Sequence, residues 1–405
     1  MEISKLGRDA VSMCVTVAML AGCSALPLSL SKGQGGAEPP LVHRAMPASS
    51  FRVLHSFDGD PDGETPNGDL DNLNGTLYGT TFYGGTHRVG TAFSISIDGT
   101  EKVLHSFGAG SDGIFPYAGL IHLTETAKDT LYGTTRDGGT SDKGTVYSIG
   151  TDGTEKVLHS FGGGSDGAAP FGNLAHAHDT LYGTTRDGGP SDNGTVYVIS
   201  ADGAEKVLHH FGGGSDGAKP IAGLIDANGT FYGTTTKGGT SDKGTVYSIG
   251  ADGTEKVLYS FAGGSDGASP SAGLIDVRGT LYGTTDEGGT LNRGTVYSIT
   301  TDGTEKVLHS FGSGSDGAIP LGGLSDVKGV LYGTTFLGGS KRCFGSGCGT
   351  IYSITTDGTE TVLYSFGGYD GFKPEARLLH HNGTLYGTTD EGGNYDRGTV
   401  YALTL

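Results

Sequence analysis

The densest set of metal-type side chains opens the repeat region, in Asp58-Gly59-Asp60-Pro61-Asp62-Gly63, with Asp69 eleven residues after Asp58. Alternating carboxylates closed by an acidic residue one loop-length later is the spacing by which a calcium loop wraps oxygen ligands around a hard cation. Asp58, Asp60, Asp62 and Asp69 are therefore candidate calcium ligands, although Asp69 stands where such loops carry glutamate and Pro61 is foreign to them. Calcium is the one cofactor the sequence suggests, and none is required. A second set lies two residues beyond a recurrent leucine: Asn72, His122, His176, Asp226, Asp276, Asp326 and His380. Arranged around an axis, these form a candidate ring of histidines and aspartates able to hold a transition metal or polarise a substrate. The plainer alternative is that each faces a neighbouring unit or its own hairpin turn.

Other polar residues recur too regularly to single out one site. His55, His105, His159, His209 and His309 occupy equivalent positions where Tyr259 and Tyr364 replace them, which points to packing or hydrogen bonding. Gly-Ser-Asp-Gly segments carry Asp112, Asp166, Asp216, Asp266 and Asp316, and a second loop carries Asp142, Asp192 and Asp242. Aspartate and glycine close turns through side-chain to backbone hydrogen bonds, and the same loops would also form an acidic face suited to cations or glycans. No serine or cysteine nucleophile is paired with a base.

The elements that position these residues come from a repeat. Leu/Phe-Tyr-Gly-Thr-Thr, a Gly-Thr-Val-Tyr type and a Val-Leu-His-Ser-Phe type each occur seven times, and Tyr232 to Tyr282 is one step of 50 residues. Within a unit, Ser271 to Val277, Thr280 to Thr285, Thr295 to Ile299 and Glu305 to Phe311 read as four short strands rich in β-branched and aromatic residues. Asn228-Gly229, Arg278-Gly279 and Asn382-Gly383 read as two-residue hairpin turns. No helical period is present. The expected fold is all-β: a seven-bladed β-propeller with four antiparallel strands per blade and repeats of about 50 residues. The repeat region begins with a lone outer-strand signature, Phe51 to Phe57, and ends one strand short, so the first strand should complete the last blade.

The repeated Leu-Tyr-Gly-Thr-Thr, Gly-Thr-Val-Tyr-Ser-Ile and Asp-Gly-Thr-Glu-Lys-Val-Leu-His-Ser-Phe segments resemble the GloVer tandem repeat of "choice-of-anchor" proteins, over Phe51 to Leu405. The resemblance implies an exported bacterial surface protein. It brings no catalytic residues with it.

Export is also written at the N-terminus. Lys5 and Arg8 precede an apolar stretch from Ala10 to Ala21, too short to span a bilayer, and Leu20-Ala21-Gly22-Cys23 resembles a lipobox. Residues 1–22 are thus expected to be a signal peptide, with Cys23 the lipid anchor, and cleavage after a small residue such as Ala25, giving a secreted protein, the alternative. Residues 23–50, rich in Ala, Pro, Ser and Gly, form a flexible tether, and 51–405 the propeller. Cys343 and Cys348 remain in the mature domain, where a local disulfide is their simplest use. A formal net charge of -18 excludes nucleic acid as a partner. The expected partners are the membrane, through the lipid on Cys23, and a glycan or protein ligand. The functional expectation is a surface-anchored, non-enzymatic binding or scaffolding propeller. The alternative is an extracytoplasmic metal-assisted hydrolase or lyase using the His/Asp ring near the channel.

Overall fold

A computed structural model describes residues 51–108, 110–123, 129–312, 314–339, 343 and 345–405, so the expected signal peptide, Cys23 and the tether lie outside the described residues. The local sequence builds its hairpins as the turn chemistry requires. Asn228 and Gly229 both take positive φ, 59° and 81°, the conformation that lets a two-residue turn follow the right-handed twist of its strands. In the third blade, Ala175–Ala177, Thr180–Thr185, Thr195–Ser200 and Glu205–His210 pair antiparallel in chain order, and the other blades repeat the pattern.

The two tyrosine motifs recur together for a steric reason. Gly183 pairs across the sheet with Tyr197, and a Cβ on that glycine would stand 2.3 Å from the Tyr197 hydroxyl. The glycine leaves room for the ring to lie across the sheet. Beside it the hydroxyls of Thr185 and Thr195 bond at 2.8 Å, and Thr185 donates to the carbonyl of Asp187 at 2.9 Å, which satisfies two buried threonines without water.

The core sits between blades. Each of seven apolar clusters takes residues from two neighbouring blades; one combines Leu123, Val146 and Phe161 with Leu174, Leu181 and Tyr197. Phe161 meets Tyr197 edge to face with centroids 5.1 Å apart, and equivalent pairs, from Phe57–Phe93 to Phe366–Tyr401, occur at every junction. The ring closes as expected: Phe51–Ser56 pairs with Thr399–Thr404, Phe51 opposite Leu403 and Ser56 opposite Thr399, so the first strand is the outermost strand of the seventh blade. Among the described residues helix is limited to single 3-10 turns such as Gly164–Asp166, and no helix is long and apolar enough to cross a membrane. Cys343 and Cys348 lie within reach of one another, with Cα atoms 5.2 Å apart, in the loop between Val330–Thr335 and Thr350–Thr355 of the sixth blade.

Candidate functional site

The two candidate sites expected from sequence do not assemble. In the ring, Asp226, Asp276 and Asp326 each accept the amide N–H of the glycine three residues on, at 2.8 Å, as Asn72 does from Gly75 at 3.2 Å and the His380 ring from Gly383 at 3.2 Å. These side chains close their own hairpins at the far end of the innermost strands. His122 instead pairs through Nδ1 with Asp71 of the neighbouring blade at 2.6 Å, and Nδ1 of His176 is buried without a partner. The carboxylates of the calcium-type loop also go to separate partners. Asp62 pairs with His55 at 2.9 Å and accepts the Asp58 N–H, Asp60 pairs with Arg88 at 2.6 Å, and Asp69 bonds Asn173 and Arg377. No three of Asp58, Asp60, Asp62 and Asp69 bring ligand atoms within 4.8 Å of one another. An extended loop with alternating carboxylates sends them in different directions unless a tight coil gathers them.

The acidic loops are likewise engaged locally. Asp112 accepts Gly108 N–H at 2.7 Å, Asp266 accepts Ala262 N–H at 2.8 Å, and Asp142, Asp192 and Asp242 accept amides four residues earlier at 2.8 to 3.0 Å.

Polar side chains converge instead in a cavity of about 320 Å³ on the ring axis, lined by the segments that lead into the innermost strands of all seven blades. Here the blades differ. After the recurrent proline stand Asn67, Tyr117, Phe171, Ile221, Ser271, Leu321 and Glu375, and two residues on Asp69, Asn173 and Arg377 replace the glycine of the other four blades. Asp69 accepts Asn173 Nδ2 at 2.6 Å and the Arg377 amide at 2.8 Å, and its carboxylate lies 3.3 Å from Arg377 Nε. Tyr117 donates to Glu375 at 3.1 Å. Asp286, at the end of its blade's second strand, accepts the Ser271 hydroxyl. Burial pushes the Asp286 carboxyl up to about 7, against the pull of Ser271 and aided by the charges of Glu287 and Glu375. Asp390, 8% exposed, is raised well above the usual carboxylate range by burial and then by the neighbouring Glu375, an environment that favours its protonated form. One face of the cavity thus carries one carboxyl poised near neutrality, Asp286, with Glu375, a tyrosine and a fixed Asp-Asn-Arg cluster. Aliphatic Ile221 and Leu321 form much of the remainder.

Residues 31–240 and 200–401 match the model of the Gloeobacter/Verrucomicrobia repeat. The chain belongs to the Gloeobacter/Verrucomicrobia repeat family. That family is one of extracellular bacterial proteins, in keeping with export. No curated protein matches the chain. Among solved structures, a gluconolactonase from Xanthomonas campestris is 16% identical over 90% of this chain and 99% of its own, with a TM-score of 0.42. A candidate 6-phosphogluconolactonase from Bacteroides uniformis is 16% identical over 77% of this chain and 88% of its own, with a TM-score of 0.50. A puromycin hydrolase is 12% identical over 81% of this chain and 50% of its own, with a TM-score of 0.52. At these identities the likeness is one of fold.

The expectation of a non-enzymatic binding or scaffolding propeller is overturned here. Propellers of the fold shared by the Gloeobacter/Verrucomicrobia repeat chain are named as hydrolases, so the uniformity of its blades gives no ground for excluding chemistry. The acidic loops on which the binding face rested are also occupied by their own turns. The channel residues of this repeat protein were missed because no single segment holds them. The signal was present: aligned on the proline and on Thr-Thr, the units diverge at these positions, among them Asp286 and Asp390, where other blades carry Phe82, Arg136 or Thr236.

Proposed function

We propose that the axial cavity is the active site of an exported hydrolase that cleaves a C–O bond of a small, hydroxyl-rich and uncharged substrate, of lactone or glycoside type. One observation carries this reading: a set of positions at which the blades diverge faces one cavity and places Asp286, Glu375, Tyr117 and Arg377 there. Glu375, backed by protonated Asp390, takes a proton from a water whose oxygen attacks the electrophilic carbon. Asp286 gives its proton to the departing oxygen, and solvent returns the proton from Glu375 to Asp286. A carboxyl that titrates near neutrality suits the acid role. Asp69, Asn173 and Arg377 hold substrate hydroxyls, while Phe171 and Ile221 exclude water. The excess of carboxyls disfavours anionic substrates. That propellers of similar fold are named as hydrolases supports the reaction class by analogy of fold.

On the same reading the mature protein begins at Cys23, lipid-anchored in the cell envelope, with 23–50 as a tether and the Cys343–Cys348 disulfide formed after export.

The test is hydrolysis of a panel of lactones and chromogenic glycosides. Glu375→Gln and Asp286→Asn should each lower kcat/KM by about 100-fold or more, in the range of a lost general acid or base, while Asp226→Asn leaves it unchanged. Turnover that neither channel substitution alters would refute the proposal.

A further inference from the structure

A different set of metal-type side chains meets far from the axis, at the junctions between outermost strands. The outermost strand of one blade supplies a histidine, the loop after it an aspartate, and the outermost strand of the next blade a glutamate. His159, Asp166 and Glu205 form one such group, and four more are built around His55, His105, His209 and His309. In each, one imidazole nitrogen and one oxygen from each carboxylate lie within 4.8 Å of one another. His159 Nε2 is 3.1 Å from Asp166 Oδ1, and the Gly162 N–H binds the other Asp166 oxygen and fixes the carboxylate's orientation. Glu205 Oε1 is shielded from solvent yet has no hydrogen-bond partner, and the same holds at the glutamate of every other group. An unpaired buried oxygen beside a second carboxylate is costly unless a proton or a cation sits between them.

We propose that these five junctions bind a zinc-type transition dication, each ion tying one blade to the next. One imidazole and two carboxylates form a mixed nitrogen and oxygen donor set of the kind zinc accepts, with the remaining position open to water. The last two junctions are built-in controls. Tyr259 replaces the histidine but keeps Asp266 and Glu305 beside it, and its hydroxyl donates to Asp266 at 3.1 Å. At the ring closure Phe51 stands where the glutamate would be and stacks on Tyr364 with centroids 3.9 Å apart. Neither junction can complete the donor set.

The decisive experiment is zinc titration of the full chain by calorimetry, with the metal content of the dialysed protein measured independently. Zinc should bind at five equivalent sites, raise the thermal midpoint, and be removed by EDTA with the midpoint returning. Glu205→Gln should bind one ion fewer. Tyr259→His should bind one ion more, because it supplies the donor its junction lacks. This second variant adds a ligand rather than removing one and decides the matter even if Glu205→Gln fails to fold. No retained zinc, or a count that Tyr259→His leaves unchanged, would overturn the proposal and leave the groups as carboxyl pairs sharing a proton.

Discussion

The blade junctions and the axial cavity use the same seven units in opposite ways. Each blade gives the same answer there: an aromatic pair near 5.1 Å, an aromatic ring over glycine and a threonine pair. Around the axis, equivalent positions hold residues as different as Ile221 and Glu375. Stability spread over seven similar interfaces leaves the axial positions free to differ, and even to carry buried carboxyls such as Asp390 that do not favour folding. An asymmetric site can therefore sit on a nearly symmetric frame.

That contrast breaks most severely at the ring closure. Deleting residues 51–57 removes the outermost strand of the seventh blade and the Phe51 stack on Tyr364, leaving an unpaired edge. The expected outcome is loss of a cooperative unfolding transition, followed by denaturant and circular dichroism. Next in size is Phe161→Ala. Its ring is fully buried against Tyr197 from the neighbouring blade, and the change should cost about 3–5 kcal/mol in chemical denaturation. Asp390→Asn on the axis should leave stability unchanged or slightly raised, since a protonated carboxyl and an amide are close in shape and the amide carries no charge to desolvate.

The frame was legible because every unit repeats the same instruction. Tyr182-Gly183-Thr184-Thr185, the Asn228-Gly229 turn and the lone Phe51 strand each carry local chemistry that allows one structure. The site was not legible because it depends on closure of the ring. Tyr117 and Glu375 are 258 residues apart, and only the propeller brings them to 3.1 Å. The Asn72 to His380 series stood out as a ring, and it is one in projection, but the innermost strand has two ends and those residues occupy the hairpin end. Residues such as Asp69 looked like part of a loop because chain neighbours were the only neighbours visible.

The pH dependence of stability tests the junctions as a group. Burial first, then the neighbouring aspartate charge, raises Glu101, Glu205, Glu255, Glu305 and Glu360 from 4.5 to about 7. The folded state therefore binds these protons more tightly than the unfolded state, and the slope of unfolding free energy against pH is negative between those values. With EDTA present, the urea midpoint should fall as pH rises from 4.5 to about 7 and level off above it. A midpoint that rises across this window would mean that the glutamates are ionised and paired in the folded protein.

The smallest effect separates the two ends of the innermost strand. Asp226 is exposed and accepts one hydrogen bond, from the Gly229 amide, inside a turn whose φ angles are already set by Asn228 and glycine. Asp226→Ala should therefore cost about 0.5–1 kcal/mol, the net worth of a solvent-exposed hydrogen bond, and leave turnover unchanged. Asn173→Ala, in the preceding blade, removes the donor to Asp69 and the acceptor of the Gly119 amide. Its loss should appear as a raised KM, because the Asp69–Arg377 cluster would lose one of the groups that hold it in place. Equal effects of the two substitutions on KM would erase the distinction between a hairpin end that closes turns and a cavity end that meets substrate.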